Sequence, residues 1–117
     1  MPNRFLIFIA GICGAAGITL SAIASHGASQ NSGTAATFLV AHAPVLLVIA
    51  LAGYNAVMRW SAAALFMGLV LFSSDMVSRD FLDDRLFTMA APTGGFLMIL
   101  GWVGIAASAF FPRRLLG

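Results

Sequence analysis

Four stretches of this chain stay apolar for about as long as a helix needs to cross a bilayer, and little polar sequence lies between them. A hydrocarbon core of about 30 Å requires about 20 apolar residues at 1.5 Å each. Residues 5–25, 35–58 and 92–111 meet that length, and 61–77 approaches it with Asp75 near its end. Their apolar runs are continuous and not alternating, which disfavours the strands of a barrel and leaves helices as the way to pair every backbone amide in hydrocarbon. Composition agrees: 61% of the 117 residues are hydrophobic and 9% are charged, against about 25% charged in an ordinary soluble domain. So few charges cannot clothe a water-soluble fold, which excludes a soluble enzyme, a nucleic-acid-binding module and a disordered chain. The expectation is an all-α integral membrane protein. It would be a single transmembrane domain over residues 1–117, with four helices in an up-down antiparallel bundle and connections at 27–34, 59–60 and 78–91.

The charges serve best as markers of sidedness. All six cations are arginine and all four anions are aspartate, giving a net charge of +2. The arginines are dispersed, so they make no nucleic-acid footprint. With four crossings, Arg4, Arg59, Arg113 and Arg114 share one side, while Arg79 and Arg85 share the other with Asp80, Asp83 and Asp84. The positive-inside rule then predicts both termini in the cytoplasm of a bacterial inner membrane. Tyr54 and Trp60 fall near that interface, where aromatic rings anchor. Arg4, the first apolar stretch and Ala22-Ile23-Ala24 also resemble a secretory signal with a small-residue cleavage site. That stretch is longer than the usual signal core, so it reads as the first transmembrane helix. The lone Cys13, inside an apolar run, offers neither a disulfide nor a paired metal motif.

Membrane helices associate by close packing, because lipid tails are as apolar as leucine. At 100° per residue Ala10, Gly14, Gly17, Ser21, Ala24 and Ser25 share one stripe of the first span, with Phe5, Phe8, Ile12 and Ile23 roughly opposite. Thr19 interrupts the bulky face, where its hydroxyl can bond back to the Ala15 carbonyl. Pro44 removes one backbone donor from the second span and predicts a kink. In the fourth span Pro92 suits a first helical turn, and Gly94 and Gly95, followed by Gly101 and Gly104, offer another surface for close approach.

Candidate chemistry is sparse. His26 and His42 fall toward the same membrane side, as does Asp75, and polar groups at such depth usually face a bundle interior. They could tie helix ends together, bind haem iron or copper through imidazole, or handle protons. Two histidines without a further ligand at coordinating spacing form no metal motif, and neither a metal nor another cofactor is expected. Asp75 could pair with Arg79 one turn later at the interface, and the run 79–85 reads as a solvated loop or short surface helix. Nucleophile elbows, phosphate loops, zinc-protease helices and dinucleotide fingerprints do not occur, so no catalytic residue is expected.

Three blocks resemble one family. They are the Gly-rich span ending Ser25-His26-Gly27, the segment Thr34-Ala35-Ala36-Thr37-Phe38-Leu39-Val40-Ala41-His42-Ala43, and Pro92-Thr93-Gly94-Gly95 followed by Gly101-Trp102. Phe72-Ser73-Ser74 adds a fourth, shorter similarity. The chain resembles the small membrane proteins called domain of unknown function 423, related to transmembrane protein 256. It departs at Phe38, where tyrosine is usual, at Pro44, and at Asp75, where a small polar residue is usual. The resemblance implies a four-helix inner-membrane protein and no assigned activity. The expected role is a non-enzymatic structural, lipid-binding or accessory protein, with membrane lipid, further copies of itself or a larger membrane complex as partners. The alternative is a small proton-linked transporter or a haem or metal carrier using His26, His42 and Asp75.

Overall fold

Asparagine and glycine, more than hydropathy, decide where the helices begin and end. The computed structural model describes residues 3–27 and 30–113 and contains four helices, α1 (Arg4–His26), α2 (Gln30–Ala52), α3 (Ala56–Phe81) and α4 (Ala90–Ser108). Asn3 caps α1 by accepting the Leu6 amide at 3.1 Å, and Asn55 caps α3 by accepting the Met58 amide at 3.0 Å. Each cap satisfies one of the donors that a helix start leaves unpaired. Gly53, at φ +28°, closes α2 with its amide on the Ile49 carbonyl at 2.9 Å. Pro92 lies in the first turn of α4, where a missing N–H costs little.

These ends shift the expected connections. The turn between α2 and α3 is residues 53–55, not 59–60, so Arg59 and Trp60 lie within the first turns of α3. Helix α2 starts at Gln30 and α3 continues through Arg79 and Asp80 to Phe81, leaving 82–89 as the outer connection. Apolarity measures the stretch that sits in hydrocarbon. A helix continues past it until a cap or a left-handed residue stops it. All four helices are long and apolar enough to cross a membrane, and no strand occurs among the described residues. Arg114, one of the sidedness markers, lies outside the described residues.

The helices form an antiparallel bundle in which α1 packs on α2, α2 on α3 and α3 on α4. Among the described residues no close backbone approach joins α1 to α3, α2 to α4 or α1 to α4. The four helices therefore stand in a staggered row, α1-α2-α3-α4, with α2 and α3 at its centre, and Leu39, Leu46, Leu65 and Leu69 are buried in the core they help to form. Glycine sets the tightest contacts. A Cβ at Gly68 would strike the Gly94 carbonyl and come within 2.8 Å of the Met98 amide. One at Gly94 would meet the Gly68 carbonyl and Phe72 amide, each at 2.6 Å. One at Gly17 would meet Val40 Cγ2 at 2.8 Å, whereas Gly14 has ordinary clearance from Ala43, 3.6 Å. Gly95 has nothing within 4 Å, and Ser21 is exposed. The bulky face of α1 turns outward: Phe5, Phe8, Ile12 and Ile23 are all exposed.

Candidate functional site

His42 projects from the middle of α2 and is 7% exposed. The indole Nε1–H of Trp102 on α4 donates to His42 Nε2 at 3.2 Å. Indole nitrogen is only ever a donor, so Nε2 must accept, and the imidazole proton resides on Nδ1. Nδ1 then donates to the Phe38 carbonyl one turn back, at 2.8 Å. Both ring nitrogens of a neutral imidazole are thus occupied. Aromatic rings surround it: Trp102 meets it edge-on at 5.8 Å between centroids, and Phe38 stacks at 6.1 Å. Phe38 also meets Phe72 at 4.8 Å. His42, Trp102, Phe96 and Gly95 line a groove of about 480 Å³ between α2 and α4, where those two helices stand apart. The open space beside Gly95 belongs to this groove.

Asp75, near the end of α3, is fully buried and forms the expected pair with Arg79 one turn later. Its Oδ2 lies 2.8 Å from Arg79 Nη2, and its Oδ1 accepts the Leu86 amide at 2.7 Å. The carboxylate thereby fastens the connection 82–89 to the end of α3. Ser78 reinforces this by donating its hydroxyl to the Asp84 carbonyl at 2.7 Å. Asp80 reaches a different helix. Its Oδ2 accepts the Ser32 amide at 2.5 Å and its Oδ1 accepts from Asn31 Nδ2 at 3.1 Å, so the end of α3 caps the start of α2. A carboxylate at a helix N-terminus is also favoured by the helix dipole. His26, the last residue of α1, is exposed and takes part in none of these contacts. His26, His42 and Asp75 therefore share no partner, and no group of three metal-capable side chains occurs among the described residues.

At the opposite end Asn55, 4% exposed, also donates Nδ2 to the Ser108 carbonyl at 3.0 Å, joining the start of α3 to the end of α4. Asn3 donates its amide to the Ala50 carbonyl at 2.9 Å, joining the start of α1 to the end of α2. This termini-bearing end holds Arg4, Arg59 and Arg113, whereas all four aspartates lie in or after the second half of α3. Arg59 is half-buried, and its Nε is hidden without a hydrogen-bond partner among the described residues. Arg59 lines the termini half of a gap between α1 and α3, about 460 Å³, together with Asn3, Trp60, Ala63 and Phe66. The outer half of that gap, about 680 Å³, is lined by Cys13, Leu20, Ser73 and Leu86 among others.

Sequence reasoning missed the roles of Asn3, Asn55, Asp80 and Trp102. The two asparagines carried a readable signal, since each stands just before a helical run as an N-cap does. Asp80 and Trp102 carried none, because their partners are 48 and 60 residues away.

Residues 10–95 match the family model described as protein of unknown function (DUF423). The chain is 26% identical over 125 residues to a UPF0382 membrane protein of Haemophilus influenzae, covering 98% of this chain and 100% of that one. No solved structure matches the chain.

Proposed function

We propose a non-catalytic accessory role within the membrane for this chain, which belongs to the DUF423 family of proteins of unknown function. It acts through its lateral surface, holding lipid or a neighbouring membrane helix in the gaps between its own helices. The observation that carries this reading is how the polar side chains inside the helices are used. His42 spends both nitrogens on Phe38 and Trp102, and Asp75 spends both oxygens on Arg79 and Leu86. The space left between helices is walled mainly by apolar and aromatic side chains, with few polar ones among them. The chain sits in the bacterial inner membrane with both termini in the cytoplasm. Supporting this, Arg4, Arg59 and Arg113 gather at one end while the aspartates gather at the other.

The alternative, a proton-linked or haem- or metal-binding carrier using His26, His42 and Asp75, draws less support. Iron or copper at His42 would have to displace Trp102 from Nε2, and His26 shares no partner with the other two residues. Reconstitution into proteoliposomes containing a pH-sensitive dye tests the choice. The expected result is proton traffic equal to that of empty vesicles, with lipid or a membrane protein retained through gentle purification. Proton flux that depends on the protein and disappears in His42→Ala would overturn the accessory reading.

A further inference from the structure

We infer that the termini half of the gap between α1 and α3 is a binding site for an anionic phospholipid, with Arg59 holding the phosphate and the gap holding an acyl chain. The inference rests on the lateral-surface reading above and gives one of those surfaces its ligand class. Helix α3 has 26 residues, about 39 Å at 1.5 Å each, and exceeds a hydrocarbon core of about 30 Å by about three residues at each end. Arg59 is its fourth residue, so the guanidinium stands at the boundary between acyl chains and headgroups. Trp60 stands beside it at the depth favoured by indole.

Charge decides what the arginine meets. Among the described residues Arg59 pairs with no carboxylate, and every aspartate lies at the far end of the bundle. Its Nε is hidden from solvent with no acceptor among the described residues, a costly condition for a donor unless an outside acceptor reaches it. Arg4 and Arg113 add positive charge at the same end, which favours a net anion and disfavours a headgroup carrying its own ammonium. Phosphate oxygens suit a guanidinium fork. Below the arginine, Leu6, Ile9, Ala62, Ala63, Phe66 and Met67 continue the gap with apolar walls into the membrane, as a phospholipid tail requires. A second copy lying parallel in the membrane would bring arginine to arginine at this level, with its aspartates on the other side. The charges therefore favour lipid over a second copy.

The test uses the full chain in nanodiscs of mixed phosphatidylglycerol and phosphatidylcholine, followed by native mass spectrometry of the lipid that stays bound. Helical content by circular dichroism is recorded for every variant. The wild type is expected to retain phosphatidylglycerol about tenfold over phosphatidylcholine, as suits a charge-assisted contact. Arg59→Gln should bring that ratio to near unity, and Arg59→Lys should keep much of it. Ala63 is exposed in the gap, so Ala63→Phe should fill the tail site and abolish the preference with Arg59 intact. Arg113→Gln removes the same charge at the same end away from the gap and should lower the ratio far less than Arg59→Gln does. An unchanged ratio in Arg59→Gln or in Ala63→Phe overturns the site, and so does a loss in Arg113→Gln as large as in Arg59→Gln. A stoichiometric polypeptide that phosphatidylglycerol cannot displace also overturns it by putting protein in the gap. Lost preference in the wild type with lipid still bound sinks this site alone. Protein-dependent flux in the proteoliposomes sinks the broader reading.

Discussion

Gly94 and Gly95 are neighbours in sequence with opposite surroundings. Gly94 touches the backbone of α3 from both sides of its missing side chain, while Gly95 opens onto the groove beside Trp102. Gly94→Ala must push α3 and α4 apart against fixed backbone and should cost about 1–3 kcal/mol. Gly95→Ala adds a methyl in empty space and exchanges a poor helix former for the best one, a change between neutral and about 1 kcal/mol stabilising. Denaturation of the two variants in mixed micelles checks the contrast, and equal effects would mean the close approach is misplaced. The sequence marked the pair as one packing surface because glycine spacing shows which residues are small. It does not show which of them faces a backbone. The same gap explains Gly68, a single glycine among larger apolar residues, which no pattern distinguished although it supplies the other half of the closest backbone-to-backbone approach between helices.

At the scale of the helix, caps carry more than hydropathy can show. Helix α2 begins with Gln30, Asn31 and Ser32, none apolar, and the Ser32 amide and the Asn31 side chain both donate to a carboxylate from α3. Asp80→Ala should remove that cap at a cost of about 1–2 kcal/mol. Asp84, which bonds only the next residue's amide through its side chain, should cost within about 0.5 kcal/mol when changed to alanine. Hydrogen–deuterium exchange should show faster exchange at residues 31–33 in the first variant alone, and equal exchange in both would deny the cap. Four crossings were legible because hydrocarbon imposes a length and a polarity on any helix within it. The ends Gly53 and Asn55 were legible in principle as a C-terminal stop followed by an N-cap, but the apolar run through Ala56–Met58 concealed them. The bonds from Asp80 to α2 and from Trp102 to His42 were not legible, since each joins residues that only the finished bundle brings together.

Across the whole molecule, charge is divided end from end, and that division makes sidedness measurable. In a Cys13→Ser background, Leu82→Cys in the outer connection should react with an impermeant maleimide added to intact spheroplasts. Phe110→Cys beyond α4 should react only after the membrane is opened. Both original side chains are exposed, at 74% and 88%, so access in the fold does not bias the comparison, and the reverse pattern would invert the assigned orientation. The staggered row of helices has a mechanical meaning as well. Asn3 and Ala50 fasten α1 to α2, and Asn55 and Ser108 fasten α3 to α4, so the molecule is two helical hairpins. Between the hairpins lies the least extensive of the three helix contacts, bridged by Asp80 to Ser32 and by Trp102 to His42. Bilayer stretching or thinning would therefore be taken up as a scissoring of one rigid pair against the other. That motion would widen one of the two side clefts as it narrowed the other.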